Sequence, residues 1–217
     1  MYFKQWNILV ICAALCLFPV NNGWSQEIEG PLTGHAFYGK MTIPNNNSDV
    51  GGGDYIFNVF GADVQKPFGG DNFKYGFETG AYFSKDSSVR QFYASSGGTV
   101  AVSVEINSLM IDYFLGAYIG FEPAKWLRLT VGAGPMLIWG SWDTEPEESA
   151  PEDIAPESNF GFGGGLYART GIDIFFTEEF GLYAGARVNQ TSLTLKDSTG
   201  DVDIEGWQYY FGLAFHF

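Results

Sequence analysis

Residues 72–83 read NFKYGFETGAYF. Phe73, Tyr75, Phe77, Thr79, Ala81 and Phe83 occupy alternate positions, and Lys74, Gly76, Glu78, Gly80 and Tyr82 fill the others. In an extended chain successive side chains point to opposite faces, so period two marks a strand with two different environments. One face here is long, apolar and unbroken. The other is glycine, tyrosine and single charges.

The same period recurs outward from this stretch. Seven further segments carry it: Gly34 to Ile43, Asp54 to Val64, Leu109 to Phe121, Trp126 to Trp139, Phe160 to Ile174, Phe180 to Thr194 and Trp207 to Phe217. In Gly34 to Ile43, Phe37, Gly39, Met41 and Ile43 lie opposite Tyr38, Lys40 and Thr42, and the second, polar set is assigned to an interior. The connections also alternate. Long or polar stretches follow the first, third, fifth and seventh segments. Very short ones follow the fourth and sixth, and QKPFGGD is a modest turn after the second.

A soluble β-sandwich would alternate too, but it would hide its apolar faces and expose charged ones. A barrel in lipid accounts for both faces here, with lipid outside and a narrow packed lumen inside. Its connections should also alternate between short turns and long loops. The expected fold is therefore all-β: a transmembrane antiparallel up-and-down β-barrel of eight strands. Trp126, Trp139, Tyr113, Phe180, Trp207 and Tyr209 lie outward near strand ends and are candidates for the aromatic girdles at the two interfaces.

Ahead of the strands, Lys4 precedes thirteen apolar residues, Ile8 to Val20, followed by Gly23-Trp24-Ser25. A transmembrane helix needs roughly 20. The pattern reads instead as a secretory signal over residues 1–25, cut before Gln26, with the barrel over 26–217. Cys12 and Cys16, the two cysteines of the chain, both fall inside it, so the mature barrel should hold no thiol. Mass spectrometry of the membrane-inserted protein checks this: the mass should lack Met1 to Ser25, and a mass retaining them would refute the cleavage.

At the last segment, Tyr209, Phe211, Leu213, Phe215 and Phe217 alternate up to a terminal phenylalanine. This resembles the closing strand of outer-membrane barrels, and with eight strands and 217 residues the chain resembles the small OmpA/OmpX-like class. The resemblance implies a bacterial outer-membrane location, contact with outer-membrane lipid and lipopolysaccharide, and recognition of those five residues by the barrel-assembly machinery, with Phe217 as the handle. It also implies a lumen obstructed by ion pairs. The alternation places Lys40, Lys74, Glu78, Asp112, Arg128, Arg169, Asp173 and Arg187 inward. Buried charges persist only when paired. Two stacked clusters are expected: Lys74, Arg128, Arg169 and Asp173 in the lower half, and Lys40, Glu78, Asp112 and Arg187 above them.

The pattern narrows function less than fold. A net charge of −14 disfavours nucleic acid as a partner. Lipid hydrolysis at the outer leaflet needs a base beside a nucleophile. The only mature histidines, His35 and His216, lie near the opposite rim, and neither has a serine two residues away. No enzyme, cofactor or metal site is expected. His35 is expected to be interfacial and His216 to pack in the lumen. Tyr38, Tyr82, Phe114, Tyr118, Tyr167, Tyr183 and Tyr210 would fill most of an eight-stranded interior, which is only wide enough for side chains. A structural or surface-interaction role follows, with a narrow channel or carrier for small or hydrophobic solutes as the alternative. The acidic stretch Ser141 to Ser158 carries carboxylates that could hold divalent cations, but their spacing is not that of an EF-hand; Asp197, Asp201, Asp203 and Glu205 offer the same weak pattern, and neither loop is assigned as a metal site.

Overall fold

A computed structural model describes residues 31–43, 54–95, 99–146, 157–195 and 201–217. The signal segment, the loop glycines of 44–53 and most of the acidic stretch lie outside the described residues. Eight strands follow one another: β1 (Thr33–Ile43), β2 (Tyr55–Gly69), β3 (Phe73–Ser95), β4 (Thr99–Ala124), β5 (Leu127–Pro146), β6 (Glu157–Phe175), β7 (Phe180–Leu195) and β8 (Asp201–His216). Each pairs antiparallel with the next, and β8 returns to β1, closing a barrel. The seam runs from Thr33↔His216 to Thr42↔Trp207. It is extended by reciprocal backbone hydrogen bonds between Leu32 and Phe217, at 2.9 and 3.0 Å.

Three tight turns mark one end. Gly70 turns β2 into β3 at φ 102°, a left-handed conformation that glycine adopts without strain. Lys125 and Trp126 join β4 to β5. Between β6 and β7 the Thr177 hydroxyl accepts from the amides of Glu179 and Phe180, at 3.3 and 3.0 Å. At the other end the strands are uneven. β2 stops pairing with β3 at Asn58↔Lys85, whereas β3 and β4 pair on to Ser95↔Thr99.

Several elements are longer than the period-two segments. β2 runs to Gly69, so most of QKPFGGD is strand and the turn is confined to Gly70 to Asn72. The described part of the polar stretch after Phe83 belongs to β3 and β4, which pair as far as Ser95↔Thr99. Ser141 to Pro146 belong to β5, and Asp201 to Gly206 to β8. Polar residues carry no alternating signal, but beyond the membrane boundary strands still gain ladder hydrogen bonds.

The outer surface is apolar through its middle. Leu137, Phe211, Phe162, Val131 and Leu166 are each more than 60% exposed, as are Phe73 and Ile119. A water-soluble protein rarely exposes a contiguous apolar patch beyond a few hundred Å². A continuous belt of this kind around a closed barrel is a lipid-facing surface. No described helix is long and apolar enough to cross a membrane; this protein crosses with strands.

The phase of β1 departs from expectation. Tyr38 and Lys40 face outward and are exposed, while Thr33, His35, Phe37 and Met41 point inward and are buried. An eight-stranded lumen is packed by side chains of any polarity. Near the outer boundary, outward polar groups reach lipid headgroups, so polarity alone does not fix the phase there.

Candidate functional site

The inward faces of the eight strands meet in a lumen packed in layers. Nearest the short-turn end lies an ionic cluster. Arg169 of β6 donates through Nε and Nη2 to Glu78 Oε2 of β3, at 3.0 and 2.7 Å. The same guanidinium bonds both carboxylate oxygens of Asp63 on β2, Nη2 to Oδ1 at 3.1 Å. Asp63 Oδ1 also lies 2.6 Å from His35 Nδ1 on β1, and the other ring nitrogen, Nε2, lies 3.1 Å from Asp173 Oδ1 on β6. Arg128 of β5 closes the chain, with Nε 2.7 Å from Asp173 Oδ2 and Nη1 2.6 Å from the Thr33 hydroxyl.

These six groups are almost wholly buried. Three are carboxylates and two are guanidinium groups, so the sum is zero when both ring nitrogens of His35 carry a proton. Neutrality combined with hydrogen bonding is what permits charges to stay out of water. The remaining acceptor capacity of Glu78 is taken by Tyr167 OH at 2.8 Å and Gln65 Nε2 at 2.9 Å.

Space for the cluster comes from glycine at facing positions. A Cβ on Gly132 would lie 2.1 Å from Glu78 Oε1, so only glycine there admits the carboxylate. At Gly61 a Cβ would fall 2.3 Å from the Phe37 ring and 2.4 Å from Tyr82. Small residues opposite large ones let the ring layer fill a lumen of this width.

That ring layer sits outward of the cluster. Tyr183 stacks on His35 with centroids 4.0 Å apart, and Phe37 contacts Tyr210 at 4.6 Å and Tyr82 at 4.8 Å. Arg187 of β7 threads through it. Its guanidinium carbon lies 4.2 Å from the Tyr82 ring centroid and 5.0 Å from that of Tyr167, and its Nη1 donates to Asp112 Oδ1 at 2.9 Å. The aromatic faces and the carboxylate together compensate this buried cation. Further out the packing is aliphatic and sulfur-rich. Met41, Met110 and Met136 are buried, with Gln208 Nε2 donating to Met41 Sδ at 3.0 Å and the Thr191 hydroxyl to Met136 Sδ at 3.3 Å.

Of the charged residues expected inside, the structure gathers Glu78, Arg128, Arg169 and Asp173 into one cluster and joins Asp112 with Arg187. Glu78 therefore belongs with the lower group, not the upper. Lys40 is outside the barrel, by the phase of β1. Lys74 points to the short-turn rim and pairs with Glu122 at 3.1 Å, both partly exposed, apart from the buried cluster. Two central members, His35 and Asp63, were missed. His35 is not interfacial but fully enclosed, and the phase set by Phe37 and Met41 would have placed it inward. Asp63 alternates with Phe57 and Val59, both buried, and was legible in the same way. Tyr82, Phe114, Tyr118, Tyr167, Tyr183 and Tyr210 are buried in the lumen; Tyr38 is not. His216 stacks on Phe175 at 4.0 Å at the short-turn mouth. Among the described residues no group of His, Cys, Asp and Glu is arranged as a metal site.

The five residues of the closing strand are all on the outer face, with Tyr209, Phe211 and Phe217 exposed by more than 60%. The Phe217 ring lies against Gly34, where a Cβ would be 2.9 Å from it.

No family model matches this chain, and no curated protein matches it in sequence. Solved structures do match in shape. The outer membrane protein OprG of Pseudomonas aeruginosa superposes with a TM-score of 0.51 at 12% identity, over 87% of this chain and 96% of that one. Neisserial surface protein A gives 0.49 at 13% identity, over 86% and 97%. Ail, the attachment invasion locus protein of Yersinia pestis, gives 0.48 at 12%, over 86% and 99%. The shared property is the fold, that of a small outer-membrane barrel.

Proposed function

We propose that this barrel of the bacterial outer membrane is a sealed, non-enzymatic scaffold that presents its long-loop end for surface interactions. The observation that supports it most is the layered lumen. Ion pairs drawn from β1, β2, β3, β5 and β6 cross the interior, and a tier of rings lies directly above them. A solute path would have to break several charge-assisted bonds at once, each stronger than a neutral hydrogen bond. Both nitrogens of His35 are engaged by carboxylates, which leaves neither to take a proton from a hydroxyl nucleophile. The β3–β4 hairpin, continuing beyond the last β2 pairing, is a surface for outside partners. Insertion by the barrel-assembly machinery and contact with lipopolysaccharide belong to the same reading.

Planar-bilayer recording tests the seal. The refolded protein should show no stable stepwise openings at neutral pH. Arg169→Ala, which vacates the centre of the cluster, should show them if the ion pairs are the plug. Frequent long openings in the unaltered protein would overturn the sealed reading in favour of a narrow channel.

A further inference from the structure

Near the long-loop end the outer face carries a polar row across β1, β2 and β3. Lys40 of β1 is directly opposite Asn58 of β2, and Asn58 is directly opposite Lys85 of β3. All three side chains point outward and are exposed. Neither lysine is in an ion pair among the described residues.

The outward row one step nearer the membrane centre is aromatic: Tyr38 opposite Phe60, and Phe60 opposite Phe83. Tyr38 and Phe60 are in ring contact, with centroids 4.8 Å apart. Rings of this kind settle at the headgroup level, with the hydrocarbon below them. The row beyond them is about 7 Å further out along the strands, which is where lipid phosphates lie. Strands two apart are about 10 Å from each other, so two flexible lysine stems can converge on one anion between them.

Asn58 is already oriented for that anion. The Tyr38 hydroxyl donates to Asn58 Oδ1 at 2.9 Å, so the amide oxygen is engaged and the NH₂ group is left as a donor between the two amines. Below the rings, Ala36, Ala62 and Ala81 form the next row and leave a shallow strip along which an acyl chain can lie.

We infer that Lys40, Asn58 and Lys85 form a site for the phosphate of an outer-leaflet glycolipid, with Tyr38, Phe60 and Phe83 seating the base of its headgroup. The inference rests on the membrane placement proposed above but not on the sealed lumen. A lysine that contributes nothing inside the barrel thus acquires a role outside it. Among the described residues, Lys40 and Lys85 are the outward strand lysines at this end.

The test uses the full barrel in mixed micelles, offered diphosphoryl lipid A or the same lipid stripped of phosphate, with retention read by native mass spectrometry. The unaltered protein should favour the phosphorylated lipid by roughly twenty-fold, since each amine at such a surface contributes about fivefold. Lys40→Ala with Lys85→Ala should abolish the preference, and Lys40→Arg with Lys85→Arg should keep it. Lys66→Ala, outward at the short-turn end, should keep it as well. Equal retention of the two lipids by the unaltered protein, or a preference that survives the double alanine change, overturns the site. Either result leaves the sealed-scaffold reading standing, whereas conducting openings would sink that reading and leave the lipid preference intact.

Discussion

Replacing Asp63 by leucine should destabilise the barrel by about 3–5 kcal/mol, the range seen when one partner of a buried ion pair is removed. The change strips a carboxylate from between Arg169 and His35 and leaves both buried groups without one of their charged partners. The measurement is the urea midpoint for unfolding from lipid vesicles, followed by tryptophan fluorescence. The cost should come from the charge left behind and not from the loss of a favourable pair. Adding Arg169→Met to Asp63→Leu should therefore recover stability relative to the sum of the two single changes. In the double variant Glu78 still accepts from Tyr167 and Gln65, and His35 still faces Asp173. Contacting residues in one network are where such non-additivity is expected. Single and double changes that simply add would show that these charges are not coupled, and an unaltered midpoint for Asp63→Leu would show that the pair is not buried in membrane.

Deleting Phe217 should separate assembly from stability. In the folded barrel its backbone makes two hydrogen bonds with Leu32 and its ring lies outward against Gly34. The ring is 66% exposed to the surroundings, so its loss should cost the refolded protein no more than about 1–2 kcal/mol, as judged from burial of a partial aromatic surface. In cells the proposed role as an assembly handle predicts a far larger effect: the folded form in the outer membrane should fall to a small fraction of the normal amount. The comparison is heat-modifiable gel migration of membrane fractions against the same assay on protein refolded in detergent. Similar losses in both would assign Phe217 to stability alone.

How much of this was readable beforehand depends on what each strand buries. β3 to β8 alternate between lipid and lumen over most of their length, and the residue pattern carries their phase: Glu78, Asp112, Arg128, Arg169, Asp173 and Arg187 are where alternation puts them. The alternation of β1 suggests the wrong phase because Tyr38 and Lys40 are polar, and polarity points inward wherever the outside is hydrocarbon. At the headgroup boundary that rule fails, since a lysine can stand on the lipid side with its amine in the polar layer. The wrong phase hides His35, whose neighbours Phe37 and Met41 carry the inward face. Which charges pair was less accessible still. Arg169 meets Asp63 and Glu78 because strand register and tilt bring β2, β3 and β6 together across the lumen, and no spacing along one segment reports that.

The closure of β1 on β8 has a kinetic consequence. Every other pairing in the barrel is a hairpin between consecutive strands, whereas the seam joins the two ends of the described chain. Contacts between distant residues are slow to form because a long loop must be ordered before they repay it. His35 sits on one of the two seam strands and bridges residues 28 and 138 positions away. Until β1 and β8 meet, Asp173 lacks its bond to His35, and the lumen is open along one side. The cylinder should therefore shut and dehydrate in a single late event, in which the β1–β2 hairpin brings His35 and Asp63 together onto Asp173 and Arg169 of β6.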